Sequence, residues 1–210
     1  MAKTDWEAAM KPLIKKYKSK PHPLAHKNFY QLLVMVVLSA QTSDAHVNKM
    51  APALFEAFPD MESLSRADEK LLARYIKVIN GKNKIKWLLA IAREIKQDKN
   101  IPLTMEELTA LPGIGRKSAN VIMREAGKKA EGVIVDLHVV RVAPRIGIAE
   151  GTDPKKIEAQ IMQVMPQKAW GEIGMAISFL GREVCRPKHP KHDDCVVRAC
   201  CHYYKTHKGK

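Results

Sequence analysis

The sequence predicts an all-α protein, on three observations. Apolar residues recur at helical three- and four-residue spacing along nearly the whole chain. Alternating apolar and polar residues, the mark of a half-buried strand, are confined to the brief stretch Gly132–Val135. The periodic segments are joined by short connections, as in helical folds.

Ten helices follow from the pattern. Trp6–Tyr17 comes first and is set off by Lys18-Ser19-Lys20 and the Pro21/Pro23 pair. Phe29–Ala40 carries the strongest apolar run, Leu32 to Leu38, and Val47–Phe58 repeats the helical spacing. Glu69–Ile79 has a start signal in Ser65, three residues before Asp68. Ile85–Ile95 follows a polar turn. Met105–Leu111 is opened by Thr104 ahead of Met105-Glu106-Glu107, a capping arrangement. Lys117–Ala126 follows a glycine turn and Leu137–Ile146 follows Asp136. Lys155–Met165 opens on Asp153-Pro154, since proline suits the first helical turn, and Trp170–Leu180 completes the set. A boundary near Val133–Asp136 separates residues 22–133 from residues 134–210. The first 21 residues can pack with the C-terminal part, an arrangement that periodicity does not decide.

A chain of 210 residues can bury a substantial core in one or two domains. Its 36 Lys and Arg against 22 Asp and Glu leave a net charge of +14. Such a balance points to a polyanionic partner, because neutralising phosphates releases condensed counterions. Charge alone does not separate DNA from RNA or an anionic membrane, and a basic protein with no such partner is the plain alternative. The polar start Met1-Ala2-Lys3-Thr4-Asp5-Trp6 has no secretory pattern, and Leu32–Leu38 is far too short to span a bilayer. The four cysteines all lie between positions 185 and 201. Structural disulfides would be spread through the fold, so a local ligand cluster in a reducing compartment is expected. The chain reads as cytoplasmic, associated with the nucleoid if bacterial, and as a monomer.

The densest chemistry lies in Leu111-Pro112-Gly113-Ile114-Gly115-Arg116-Lys117 and, nineteen residues after Lys117, in Asp136. Gly113 and Gly115 lift the steric limits on the turn, so its N–H groups can converge on a phosphate beside the positive end of the next helix. Leu111 and Ile114 anchor the turn, and Arg116 adds charge. The plain alternative is an ordinary helix–helix turn. An amine near a helix N-terminus and partly out of water keeps a free lone pair at neutral pH, which makes Lys117 a candidate nucleophile for the anomeric carbon of a deoxyribose. Asp136 can stabilise positive charge on the sugar and can also cap the Leu137 helix.

At these residues the chain resembles the helix-hairpin-helix DNA glycosylases of the iron–sulfur branch. The likeness extends through Leu38-Ser39-Ala40-Gln41-Thr42-Ser43-Asp44, Tyr75-Ile76-Lys77, Leu111 to Asn120, Val135 to Val142 and Gly181-Arg182. In the adenine-specific relatives the lysine position is not a lysine, so Lys117 places the resemblance with the bifunctional glycosylase/β-lyases. What the resemblance implies is a six-helix domain over residues 22–133 and a second helical domain of residues 1–21 plus 134–210, with a central cleft. It implies duplex DNA containing oxidised pyrimidines or abasic sites as partner, with the damaged base flipped out of the stack. Gln41 matches the residue that fills the gap left by the flipped nucleotide, and Asp44 has at most a secondary role.

Two departures stand out. The resemblance calls for a bulky apolar wedge where the loop Ile79-Asn80-Gly81-Lys82-Asn83 has Gly81, so Ile79 or a neighbour must substitute. The family's four cysteines are separated by six, two and five residues; here Cys185, His192, Cys195 and Cys201 keep that spacing with histidine second, and Cys200 is extra. Three thiolates and an imidazole can hold a 4Fe–4S cluster of raised potential; zinc, or no metal, are the alternatives. The basic loop around Lys188 and Lys191 is expected to touch phosphate, or to be a solvated surface loop. Against the glycosylase/lyase stands a second class, a catalytically weak damage-scanning DNA-binding protein of the same fold, to which Gly81 and His192 lend weight.

Overall fold

The computed structural model describes residues 4–207, so the first residues of the polar start and the end of the lysine-rich tail lie outside the described residues. Among the described residues there are twelve α-helices, two short 3-10 turns at Asp98–Asn100 and His192–Asp194, and no strand. In chain order the helices are α1 (Trp6–Tyr17), α2 (Phe29–Ser39), α3 (Asp44–Ala57), α4 (Met61–Ser65), α5 (Glu69–Tyr75), α6 (Gly81–Ile95), α7 (Met105–Ala110), α8 (Arg116–Glu125), α9 (Leu137–Ile146), α10 (Pro154–Val164), α11 (Gln167–Glu183) and α12 (His202–Thr206). Among the described residues no helix is long and apolar enough to cross a membrane.

The ten helices expected from periodicity are present; α4 and α12, each five residues long, are the additions. Fewer than two turns leave no period to detect. Most starts are set by side-chain caps, which satisfy N–H groups that the helix itself cannot. Asn28, Ser43, Asp60, Asp68, Thr104, Asp136 and Asp153 each accept from a backbone N–H in the first turn. Ser65 does not start α5: it is the last residue of α4, its hydroxyl donates to Glu62 O at 2.7 Å, and Asp68 is the cap. Helix α5 also stops at Tyr75, four residues before the expected end.

The chain forms two compact units. One comprises Pro21–Lys128; the other comprises the residues up to Lys20 together with those from Lys129 onward. In the first unit α2 is the core element, buried continuously from Leu32 to Leu38, and it packs on α3, α6 and α8. Each such side chain contributes roughly 1.5–3 kcal/mol on leaving water. In the second, Ile173, Ile177 and Leu180 of α11 and Val139, Val142 and Ile146 of α9 are buried, and these two helices pack together. Helix α1 packs on α11, with Met10 and Leu13 fully buried and the Tyr17 and Phe179 rings stacked at 5.6 Å.

The stretch Gly132–Val135, to which the alternating pattern is confined, is a buried connector. It belongs to the second unit because its backbone lies directly on α11. A β-carbon added to Gly174 would stand 2.3 Å from Ile134 O, so only glycine admits the approach. The Val133 N–H is accepted by Glu158 of α10 at 3.2 Å.

Candidate functional site

The turn between α7 and α8 is built as its residue types dictate. Leu111 and Ile114 are buried and pin it to the core, and the Ile114 N–H donates to Leu111 O at 3.2 Å. Gly113 has φ +79°, and a β-carbon there would meet the Trp87 ring at 2.5 Å. Both facts require glycine for the protein's own folding. Gly115 differs: its φ is −96°, and a β-carbon would meet no atom within 4 Å. The space beside it is open. It precedes the ten-residue α8, which has neither a side-chain cap nor an acidic residue in its first turn, while Arg116 and Lys117 are both exposed there. Uncapped N–H groups, two cations and room for close approach make an anion seat.

Lys117 is exposed, so the partial desolvation expected of it is absent in the free protein. Its charge is felt by a residue that the sequence reading passed over. His22 is half-buried, and its pKa is pushed down to about 4, first by burial and then by the neighbouring charges of His26 and Lys117, against an opposing pull from Asp44. His22 Nδ1 accepts the Leu24 N–H at 3.2 Å, so the neutral ring carries its proton on Nε2. The Pro21-His22-Pro23 run was the available signal, since two prolines restrict the backbone around a single imidazole.

Gln41 lies in the turn between α2 and α3, exposed, with φ +58°. That conformation is uncommon outside glycine. A buried cation holds it. Lys84, 2 % exposed, donates from Nζ to Leu38 O at 2.9 Å, to Ala40 O and to Thr42 Oγ1 at 3.3 Å. These acceptors sit at the C-terminal end of α2, where carbonyls lack helical partners and a cation is favoured. Burial pulls the Lys84 pKa below the ordinary lysine value. Gly81, expected in a loop, is the first residue of α6, and Asn80 before it has φ +57°. The wedge segment is therefore a tight turn, and Ile79 projects from it 60 % exposed. His46 braces the same turn, its Nε2 lying 2.7 Å from Lys77 O.

In the other unit Asp136 caps α9, with Oδ1 accepting the N–H groups of His138 and Val139 at 2.9 Å each. Its Oδ2 accepts the Ser178 hydroxyl at 2.6 Å and lies 3.6 Å from Arg182 Nη2. Ser178 and Arg182 are one turn apart on α11, and neither role was read from the sequence. Lys117 and Asp136 thus belong to different units.

Two arginines one turn apart on α9 hold the cysteine loop by its carbonyls. Arg141 donates to Gly181 O at 2.8 Å and to Cys185 O at 3.3 Å, and Arg145 donates to Arg186 O at 2.8 Å and to Pro187 O at 3.2 Å. Arg145 also reaches Cys185 Sγ at 3.6 Å, while Cys201 Sγ donates to Arg145 O at 3.4 Å. Burial pushes the Cys195 and Cys201 thiols up, and Cys185 adds to the rise at both. These three sulfurs therefore share one neighbourhood, and a metal would take them as thiolates. His192 lies with its ring centroid 5.2 Å from that of Tyr204, beside α12, and Cys200 donates to Val197 O at 3.2 Å. Among the described residues no three such donors converge on a single-ion site. A zinc ion needs all its donors about 2.0–2.3 Å from one centre, whereas a four-iron cluster binds each donor at a separate iron. By their chemistry, three thiols in one neighbourhood are donors of the kind that a four-iron cluster or a zinc ion takes. Lys188 and Lys191 are exposed on the same loop.

A family model described as HhH-GPD superfamily base excision DNA repair protein matches residues 34–167. The chain belongs to this superfamily. Within the HhH-GPD proteins it is 37% identical to the endonuclease III of Synechocystis sp. over 192 residues, covering 90% of this chain and 88% of the relative. The solved structure of a non-covalent endonuclease III–DNA complex is 29% identical with a TM-score of 0.85, over 98% of both chains. A trapped endonuclease III–DNA covalent intermediate, the estranged-adenine complex, is 28% identical with the same TM-score, over 98% of this chain and 99% of that one.

The two glycines should respond differently to alanine. Gly113→Ala should lower stability by roughly 1–3 kcal/mol in chemical denaturation, through positive φ and the Trp87 contact. Gly115→Ala should leave stability within about 0.5 kcal/mol and weaken duplex-DNA binding, read by anisotropy titration. His22 sets a pH dependence. It binds a proton near pH 6.5 when unfolded but only near 4 when folded, so the unfolded chain holds more protons between those values. Stability should be full above about pH 6.5 and fall by about 3 kcal/mol toward pH 4 from this residue. His22→Gln should flatten that slope in denaturant titrations at pH 7 and 4.5.

Proposed function

We propose that this chain is a bifunctional DNA glycosylase and abasic-site lyase of base excision repair, which removes oxidised pyrimidines from duplex DNA and cleaves the resulting site. The observation that carries the reading is the exposed Lys117 amine in the first turn of α8, two residues beyond the open glycine at the anion seat. A strand phosphate held at the α8 N-terminus sets a nearby deoxyribose within reach of that amine. Lys117 Nζ attacks C1′ while the C1′–base bond breaks, and the base departs with the electron pair. Loss of the amine proton and opening of the sugar ring leave an imine between Nζ and C1′. Removal of a C2′ proton then expels the 3′ phosphate, and hydrolysis of the imine returns the lysine. DNA covering the exposed amine would supply the desolvation that the free protein lacks.

Asp136 acts on the positive charge that develops at the sugar. Both its oxygens already accept hydrogen bonds, which suits electrostatic stabilisation more than proton transfer. Gln41, held at its turn, fills the space of the flipped nucleotide, and Ile79, the exposed apolar residue beside Gly81, opens the stack. Lys188 and Lys191 take phosphate contacts that position the duplex. Cys185, His192, Cys195 and Cys201 would hold a 4Fe–4S cluster, which supplies one-electron redox capacity and ties down the loop that bears those lysines. The protein acts as a monomer in the cytoplasm. A catalytically weak scanning protein is not favoured, because a structure similar to this chain is a trapped covalent intermediate and the lysine of the bifunctional pattern stands in place at Lys117.

Borohydride should trap a covalent adduct with an abasic or thymine-glycol duplex, and Lys117→Ala should abolish trapping while leaving duplex affinity within about twofold. Undiminished trapping by that variant would remove Lys117 as nucleophile. For the metal loop, freshly purified protein should contain iron and acid-labile sulfide. His192→Ala should lower both, and His192→Cys should retain them with a lower midpoint potential, because a thiolate brings negative charge where imidazole is neutral. Zinc in place of iron in the native protein would overturn the assignment.

A further inference from the structure

The least expected polar group in the second unit is Ser178. It is fully buried in the middle of α11, between Ile177 and Phe179, which are buried as well. A serine in a helix interior commonly turns its hydroxyl back to the carbonyl four residues earlier. This one has its single proton committed elsewhere, to Asp136 Oδ2 at 2.6 Å. Its oxygen in turn accepts from Arg182 Nε at 3.3 Å. The hydroxyl therefore stands between a guanidinium and a carboxylate, with the hydrogen bonds running in one direction from Arg182 through Ser178 to Asp136.

The backbone places it there. Along one face of α11, Gly174 admits the main chain of Ile134 and Gly181 lies against His138 Cβ, where an added β-carbon would come within 2.9 Å. Ser178 falls between them in register with Asp136. Glycine there would leave Oδ2 without its donor, and a larger side chain would push the segment away. The shortness of the Ser178–Asp136 bond marks it as charge-assisted, the stronger kind. Arg182 Nη2, at 3.6 Å from the same oxygen, is just beyond a direct hydrogen bond.

We propose that Ser178 is a positioning residue for the reaction: its hydroxyl fixes the orientation of the Asp136 carboxylate and holds Arg182, which pairs with that carboxylate at 3.6 Å, short of a bidentate hydrogen-bonded contact. A bidentate guanidinium contact would neutralise the charge intended for the sugar. The interposed hydroxyl holds the carboxylate in place and leaves its charge only partly compensated by Arg182. This rests on the reading of Asp136 as the electrostatic partner of Lys117.

The test is single-turnover excision from a thymine-glycol duplex, with duplex affinity and thermal midpoint measured on the same samples. Ser178→Ala should slow excision about tenfold, with affinity unchanged and the α9 cap intact through Oδ1. Ser178→Cys, similar in shape with a weaker donor, should fall between wild type and alanine, and it carries the test if the alanine variant folds poorly. In an Asp136→Asn background Ser178→Ala should have no further effect on the rate. An excision rate for Ser178→Ala within twofold of wild type overturns the proposal, as does an equal loss in the Asn background. If Asp136→Asn alone excises at the wild-type rate, the role of Asp136 fails instead, which separates the two readings.

Discussion

The second unit depends on how closely one stretch of backbone can approach one helix. Ile134 to His138 runs along α11 at a separation that ordinary side chains would forbid, and Gly174 and Gly181 grant it. From that approach follow the burial of the connector, the direction in which α9 starts, and the place of Asp136 at its cap. Arg141 and Arg145 then extend from α9 to the cysteine loop, so the same register determines where the loop lies. A shift of the segment by one residue would move the carboxylate and the loop together.

The first unit solves a comparable problem with charge in place of close approach. Gln41 stands in a backbone conformation that the chain does not favour, at the end of its most apolar helix. Burying an ammonium without a carboxylate partner is costly, and three oxygens at the α2 terminus offset the loss of water for Lys84. The arrangement works because a helix C-terminus already carries partial negative charge. The turn bearing Ile79 is braced similarly, by His46 on α3. Both projecting side chains thus stand on turns whose geometry comes from residues elsewhere in the unit.

Much of this was legible in the chain. Helical periodicity located ten helices, and residue type and spacing singled out the glycine turn, its lysine and Asp136 as candidates. Helices α4 and α12 escaped because five residues do not make a period. Ser65 misled because a hydroxyl three residues ahead of an acidic side chain resembles a capping box wherever it occurs, and only the structure shows that Asp68 performs that task. The burial of Lys84 and the Ser178–Asp136 bond depend on partners more than 40 residues away in the chain, and Lys117, which helps to keep His22 neutral, is also distant in sequence. No local pattern encodes such contacts. The exposure of Lys117 was missed for a related reason: nearness to a helix terminus says nothing about solvent.

Gly113 and Trp87 show what such packing means for the descent of the chain. The indole lies where a β-carbon at position 113 would have to go, so neither position is free to drift alone. A smaller residue at 87 would open the space, yet the positive φ at 113 would still exclude most replacements. The hairpin is thus guarded twice, once by a neighbour and once by its own torsion, and single-step substitution is blocked along both routes. Gly115 has no such guard within the protein. Any demand for glycine at that position has to come from outside the polypeptide.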